Sequence, residues 1–177
     1  LAKLDPKQKA HLEAVAAKID AIIKNTRDLY AAYGLESADT VNGWATMFKH
    51  YVPLMREDHD GGMGIGQGFS IKGRETKGRT GSANAKVVDI LANIALQRER
   101  AIVRGEKNKV GNTFLRFVQA NPDPRRWKIE PIPTKKAIDP RTGLVTEVPD
   151  NSWRHKDDVF ITRVGGKPIA IQLQGND

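Results

Sequence analysis

Mostly apolar residues recur in alternating steps of three and four along the first part of the chain. They are Leu12, Val15, Ile19, Ile22, Thr26, Leu29 and Tyr33. Such spacing places side chains along one face of an α-helix. Asp5 is a suitable N-cap before Pro6, and Gly34 is a suitable end. The pattern predicts a long helix whose stripe faces the protein core, with an intermolecular coiled coil as the alternative.

Two further helices are predicted downstream. Ser37 can cap a shorter helix that runs through Trp44 to Phe48. A second long helical pattern starts at about Ser82 and stops before the proline-containing segment 121–124. Its apolar positions are Val87, Leu91, Ile94, Ala101, Ile102, Val110, Phe114, Phe117 and Val118.

Two glycines interrupt the second long pattern. Gly105 and Gly111 each weaken a helix by up to about 1 kcal/mol relative to alanine, so the pattern allows a kink or a break there.

The last third of the chain changes to short runs rich in β-branched residues. The runs cover residues 127–132, 135–138, 144–148, 159–164 and 169–173, separated by turn signals such as Gly165-Gly166. They predict a small antiparallel sheet. Helices first and strands last indicate an α+β fold, with a helical part at 1–122 and a β part at 123–177, packed as one unit.

A glycine-rich, basic stretch at residues 61–82 separates the helical patterns. So many glycines do not favour a regular element, and their backbone amides together with nearby cations suit phosphate or acidic groups. The stretch therefore predicts a binding loop or a mobile tether. Residues 73–80 have the spacing of a phosphate-binding P-loop, but Arg79 stands at the lysine position and no strand pattern precedes the segment.

The composition indicates which classes of partner the protein favours, but it indicates no enzymatic reaction. The 177 residues carry a formal charge of +8 and no cysteine. A positive charge of this size favours nucleic acid, an anionic surface or an acidic protein, and the lack of cysteine excludes disulfides and thiolate metal sites. The acidic cluster around His59 lacks the glutamate that a calcium loop needs. No catalytic, metal or cofactor motif is found, so we expect a protein that is not an enzyme and needs no cofactor.

The predicted binding residues are cations of the glycine-rich stretch and of the following helix. They are Lys72, Arg74, Lys77, Arg79, Arg98, Arg100 and Arg104. If loop and helix present one positive surface, it suits a phosphate backbone or an acidic partner without base readout. The alternative is a solvated helix face that Glu99 and Glu106 partly neutralise.

The aromatic residues are assigned to packing at this stage. Phe114 and Phe117 fall on the apolar helix face and are expected in the core, and no alternation of aromatic and basic residues typical of single-strand binding is found. Trp44, Trp127 and Trp153 are expected to anchor helices to the sheet. Trp153 lies in the most loop-like context and is a candidate partner contact.

Several short strings together resemble one known family. They are Tyr51-Val52-Pro53-Leu54-Met55-Arg56 after Trp44, Phe69-Ser70-Ile71-Lys72-Gly73-Arg74, Gly78-Arg79-Thr80-Gly81-Ser82, Glu106-Lys107-Asn108-Lys109-Val110-Gly111, Ala120-Asn121-Pro122-Asp123-Pro124 with Trp127, and the run 159–173 around Gly166-Lys167-Pro168. The family is that of the non-catalytic domains of large polyvalent proteins of bacteriophages and conjugative elements.

The resemblance implies a structural or accessory module within a larger polypeptide. Such a module is expected in the virion interior, or in the host cytoplasm after injection with DNA. Its partners would be other virion or assembly proteins, nucleic acid, or both, with no membrane span. A purely structural assembly module, or a fragment of an enzyme whose catalytic residues lie elsewhere, are the alternatives. The family offers no binding residues to transfer.

Overall fold

The computed structural model describes residues 5–47, 69–71, 89–138, 145–150, 152–153 and 156–175. The fold is α+β, with a helical N-terminal part followed by a small three-stranded antiparallel sheet. The helices are α1 (Pro6–Ala32), α2 (Ala38–Met47) and α3 (Ile90–Ala120). The strands are β1 (Trp127–Pro131), β2 (Thr134–Ile138), β3 (Val145–Pro149), β4 (Val159–Val164) and β5 (Lys167–Leu173).

Local capping signals place the starts of α1 and α2 where the sequence predicts them, whereas α3 starts at Ile90, later than the predicted position near Ser82. Asp5 precedes α1, and Gly34 follows it with a φ of 66°. The Ser37 hydroxyl accepts the Thr40 backbone N–H at 3.1 Å before α2. The Asp89 carboxylate accepts the Ala92 N–H at 2.9 Å and caps α3. The predicted start of α3 near Ser82 lies outside the described residues.

The apolar stripe of α1 is displaced from its predicted positions. Ile23, Thr26 and Tyr30 are buried, whereas Leu12, Val15 and Ile22 are 46%, 40% and 43% exposed. A stripe with a strict repeat of 3.5 residues drifts around a helix that has 3.6 residues per turn. The expectation that the whole stripe faces the core was therefore wrong for the first half of α1.

The sequence predicts one antiparallel sheet, but the five strands form two separate sheets. β1, β5 and β4 form a three-stranded antiparallel sheet with β5 in the centre, and β2 pairs with β3 separately. The β4–β5 hairpin turns at Gly165 and Gly166, with φ values of 56° and 82°. Two central residues at positive φ are typical of the tight hairpin turn that the Gly-Gly pair predicts.

The hairpin turn docks on the connection between α1 and α2. The Gly166 N–H donates to the Gly34 carbonyl at 3.0 Å, and the Arg163 guanidinium donates to the Leu35 carbonyl at 3.0 Å. A Cβ atom at Gly166 would lie 2.7 Å from the Ser37 backbone nitrogen, so glycine alone allows this approach. The turn thereby ties the sheet to the helices.

Three small apolar clusters make up the core. The first joins the helices through Tyr30, Leu35, Val41, Ile71 and Ala101. The second fills the space between α3 and one face of the three-stranded sheet, and the third covers the opposite face of that sheet.

The described part of the glycine-rich stretch contributes to this core. Ile71 is buried in the first cluster, and its N–H donates to the Ile161 carbonyl at 2.7 Å. The Ser70 hydroxyl accepts the Ile161 N–H at 3.0 Å. Residues 69–71 therefore lie along the outer edge of β4, and the rest of the stretch lies outside the described residues.

Candidate functional site

Helix α3 carries those predicted binding residues that the structure describes. They are Arg98, Arg100 and Arg104, all partly buried. The other four, Lys72, Arg74, Lys77 and Arg79, lie outside the described residues. The packing of α3 against its neighbours therefore decides which of these arginine side chains face solvent.

The three arginines do not share one face of α3. Arg100 and Arg104 are one turn apart and lie within about 40° of each other around the helix axis, whereas Arg98 lies about 160° from Arg100. The Arg98 guanidinium donates to the Asn25 side-chain oxygen at 2.6 Å and thus contacts α1. The structure brings Arg100 and Arg104 together and places Arg98 at the α1–α3 interface.

Asn108 fixes α3 against the rest of the protein. It is fully buried, and its amide nitrogen donates to the carbonyls of Tyr33 and Arg163 at 2.8 and 2.9 Å. Its amide oxygen accepts the Arg163 N–H at 2.8 Å and the Thr162 hydroxyl at 3.0 Å. Two donors and two acceptors are the full hydrogen-bonding capacity of a primary amide. One side chain therefore joins the end of α1, the middle of α3 and strand β4.

Gly105 and Gly111 allow this close packing and do not kink the helix. A Cβ at Gly105 would lie 2.2 Å from the Tyr33 ring, and a Cβ at Gly111 would lie 2.7 Å from the Thr162 hydroxyl. The helix is continuous through both positions. The break that these glycines allowed in the sequence is not found, because their role is to let Tyr33 and β4 approach the helix axis.

An exposed polar cluster closes the α1–α3 contact. The Tyr33 hydroxyl and the Lys109 ammonium both donate to one Glu106 carboxylate oxygen, at 2.7 and 2.8 Å. These two hydrogen bonds lower the pKa of Glu106, and the bond from Lys109 has the larger effect. The same bonds to Glu106 raise the pKa of Tyr33 and that of Lys109. Lys109 also lies over the Tyr33 ring, 4.8 Å from its centroid. This cation is therefore already engaged within the molecule.

Positive charge is concentrated in one continuous part of the fold. Residues 98–136, which cover most of α3 and reach into β2, contain eleven lysines and arginines and four acids. The other described residues contain eight basic and eleven acidic side chains. The middle of α3 and the chain that follows it are thus strongly basic, while the rest of the described protein is slightly acidic.

A group of aromatic and basic residues at the C-terminal end of α3 was missed by the sequence analysis. Phe117 was expected in the core but is 51% exposed. Its ring packs edge-on against Trp127 with the centroids 5.6 Å apart. The Trp127 indole N–H donates to the Asn121 carbonyl at 2.9 Å, which fixes the ring. We call Arg116, Phe117, Arg125, Arg126 and Trp127 the aromatic–basic patch.

The two arginines of the turn before β1 are highly exposed. The side chains of Arg125 and Arg126 are 90% and 71% exposed, and each lies 3.4 Å from a different oxygen of Asp123. The Arg125 backbone N–H also donates to that carboxylate, and this bond is the largest cause of the lowered pKa of Asp123. Arg116 is a third exposed cation at this end of α3. The adjacent triplet Arg125-Arg126-Trp127 was the signal available in the sequence.

The tryptophans have separate structural roles. Trp127 packs between α3 and the sheet, as predicted, whereas Trp44 packs edge-on against Tyr30 and joins α2 to α1. Trp153 is partly buried against the third core cluster, and the Lys156 ammonium lies 4.4 Å from its ring centroid. Its role as a partner contact stays a prediction.

Among the described residues, no group of three or more histidine, aspartate or glutamate side chains is placed to hold a metal ion. His50, His59 and the acidic residues beside His59 lie outside this part of the chain. Within the same described part, no helix is long and apolar enough to cross a bilayer. Comparison of the chain with protein-family models, with curated proteins and with solved structures gave no significant match.

Proposed function

We propose that this chain is a non-enzymatic binding domain that contacts nucleic acid or an acidic partner through a basic surface centred on α3. The observation that carries the proposal is the excess of seven positive charges over residues 98–136, on a scaffold that is otherwise slightly acidic. A local excess of cations attracts a phosphate backbone and releases its counterions, without any need for base recognition.

The rigid attachment of α3 supports this proposal. Asn108 and the close contacts at Gly105 and Gly111 fix the helix to both α1 and β4. A fixed helix holds its cations at a constant spacing, which lowers the entropy cost of engaging a repeating polyanion. The resemblance to phage polyvalent proteins suggests the setting: a virion interior or the host cytoplasm after injection, with other virion or assembly proteins as further partners.

We expect binding to duplex DNA to weaken steeply as salt rises. Engagement of about four phosphates gives a slope near −3.6 in a plot of log affinity against log salt concentration. Fluorescence anisotropy with a labelled 20-base-pair duplex between about 50 and 300 mM salt measures this slope. An affinity that does not change with salt, or no affinity for any nucleic acid, contradicts the nucleic-acid form of the proposal.

A pair of charge reversals tests the predicted cations. Arg74→Glu combined with Arg79→Glu is expected to weaken duplex binding at least about tenfold, since each reversal removes one attraction and adds one repulsion. The matched control reverses Lys7 and Lys9, two exposed cations at the start of α1 and outside the basic part of the chain. The control is expected to bind within about twofold of the unmodified protein, because it lies far from the charge excess along the chain.

The exposed stripe of α1 favours a second candidate, a structural assembly module. Arg98 contacts Asn25 and Glu106 contacts Tyr33, so α1 and α3 run parallel with one constant offset of 73 residues. The residues before position 17 of α1 therefore extend about 16 Å past the described start of α3. Leu12 and Val15 lie in this extension. A protein that sediments as an oligomer and shows no salt-dependent affinity for nucleic acid would favour this candidate over the first.

A further inference from the structure

The aromatic–basic patch combines two features that recur together in single-strand binding. Phe117 presents half of its surface to solvent on the last turns of α3, and Trp127 supports it from the start of β1. Arg116, Arg125 and Arg126 are exposed and close in sequence to these aromatic residues. The Arg116 guanidinium donates to the Asn112 carbonyl at 3.3 Å. Aromatic side chains stack unpaired bases while nearby cations follow the backbone phosphates.

The rings of the patch are held in place by bonds from their own neighbourhood. The Trp127 indole N–H is bonded to the Asn121 carbonyl, and the Asn121 side-chain amide donates to the Phe117 carbonyl at 2.9 Å. The Trp127 backbone N–H donates to the Asp123 carbonyl at 3.0 Å. The Trp127 ring is thus positioned before a ligand arrives, and the Phe117 ring packs against it, which lowers the entropy cost of stacking.

The surroundings of the patch favour a polyanion over an acidic protein or an apolar partner. Among the described residues, Asp123 is the acid that pairs with Arg125 and Arg126, and its carboxylate is shared between the two. A base offers a flat apolar face for Phe117 and a phosphate for the arginines within one nucleotide. A duplex keeps its bases stacked inside and offers only the phosphates. A single-stranded nucleic acid is therefore the ligand that best matches both the positive charge and the exposed aromatic ring.

We propose that the aromatic–basic patch binds single-stranded nucleic acid, with Phe117 stacking against a base and Arg116, Arg125 and Arg126 contacting phosphates. The inference rests on the proposed function, because it names the class of polyanion and the place where that polyanion binds. It differs from the proposed function in one respect: it requires an aromatic contact that duplex binding does not need.

The test compares labelled oligothymidylate and oligouridylate of about 12 nucleotides with a duplex hairpin of equal charge, by anisotropy at about 50 mM salt. The unmodified chain is expected to bind a single strand more tightly than the duplex. Phe117→Leu keeps the apolar volume but removes the aromatic face, and it is expected to weaken single-strand binding at least about fivefold. Duplex binding by this variant is expected to change less than about twofold, since phosphates alone are contacted.

A charge variant and its control separate stacking from simple electrostatics. Arg125→Gln combined with Arg126→Gln is expected to reduce the salt slope for the single strand by about 1.4, or roughly 0.7 for each lost phosphate contact. Lys24→Gln is the matched control, since this cation is 76% exposed, pairs with Asp28 and lies on α1, outside residues 98–136. We expect the control to leave the single-strand affinity within about twofold.

Each outcome has a defined meaning. Tight binding of either oligonucleotide with loss in Phe117→Leu supports the inference, and the preferred sugar identifies the strand as DNA or RNA. Equal single-strand affinity of Phe117→Leu and the unmodified chain overturns it. So does a preference for the duplex, which leaves the proposed function intact, or equal competition by polyglutamate, which indicates an acidic protein partner instead. An unchanged circular dichroism spectrum and melting temperature of Phe117→Leu confirm that the variant is folded.

Discussion

Replacing Asn108 by leucine is expected to lower the free energy of unfolding by about 3 to 5 kcal/mol, the largest loss from any single change considered for this protein. Leucine has the branched shape of asparagine but a larger volume, so overpacking adds to the cost of the lost hydrogen bonds. The cost arises because two carbonyls and one backbone N–H lose their partner in a buried site, while the Thr162 hydroxyl keeps Asn112 as an acceptor. Domains of this size are stabilised by only about 5 to 15 kcal/mol, so such a loss is a large fraction of the total.

Urea denaturation followed by tryptophan fluorescence measures the effect. Asn112→Leu is the matched control one turn further along α3, because its side-chain oxygen accepts only the Thr162 hydroxyl, at 3.1 Å. It is expected to cost about 1 kcal/mol or less. If Asn108→Leu does not fold, Thr162→Val removes one of the four bonds without a change in shape and is expected to cost about 1 to 2 kcal/mol. Equal stability of the two leucine variants would contradict the central role of Asn108.

Gly105→Ala is expected to destabilise the protein by about 2 to 3 kcal/mol, although alanine is the better helix former. In an unconstrained helix this change gains up to about 1 kcal/mol. At Gly105 the new Cβ would lie 2.2 to 2.6 Å from three atoms of the Tyr33 ring, including the ring atom nearest the backbone. The ring cannot move away by rotating its far end alone, so α1 and α3 must separate.

Gly43→Ala supplies the control with the opposite sign. This glycine lies within α2, and nothing lies within 4 Å of the Cβ that alanine would add. We expect a gain of a few tenths to about 1 kcal/mol, from the helix preference alone. Combining Gly105→Ala with Tyr33→Ala is expected to remove most of the clash, which a double-mutant cycle measures by chemical denaturation. A stabilising Gly105→Ala would show that the α1–α3 contact is looser than described.

The elements that depend on local chemistry could be predicted from the sequence. Asp5 and Pro6 start α1, Ser37 caps α2, and Gly165-Gly166 turns the β4–β5 hairpin where expected. Each signal acts through its own backbone or its next few residues, so no knowledge of the rest of the fold is needed. The α+β class followed from the order of these local elements.

Features that depend on contacts distant in sequence could not be predicted in this way. The buried stripe of α1 is set by where α2 and α3 lie, which the repeat of apolar residues does not report. Asn108 stands in a polar string on α3, yet it is fully buried because it faces the end of α1 and strand β4. The pairing of β1 with β5 likewise depends on register between strands that are distant in sequence.

The candidate site likewise has features that the sequence predicts and features that depend on the fold. Charge is additive along the chain, so the basic character of α3 was visible in the sequence. The direction of each side chain was not: Arg98 is drawn to Asn25 on α1, and Phe117 lies outside the core cluster formed by its neighbours Leu115 and Val118. Residue type indicated the kind of partner, but the fold was needed to locate the exposed ring and the cations beside it.

The central claim is that the basic surface of α3 and the following chain is where a polyanion binds. Amide chemical-shift perturbation of the labelled protein on addition of a short oligonucleotide tests it most directly. We expect the perturbed amides to lie within residues 72–79 and 98–136, with α1 before residue 17 and the β4–β5 hairpin unchanged. Perturbations confined to α1 or to the hairpin, or none at saturating oligonucleotide, would contradict the claim.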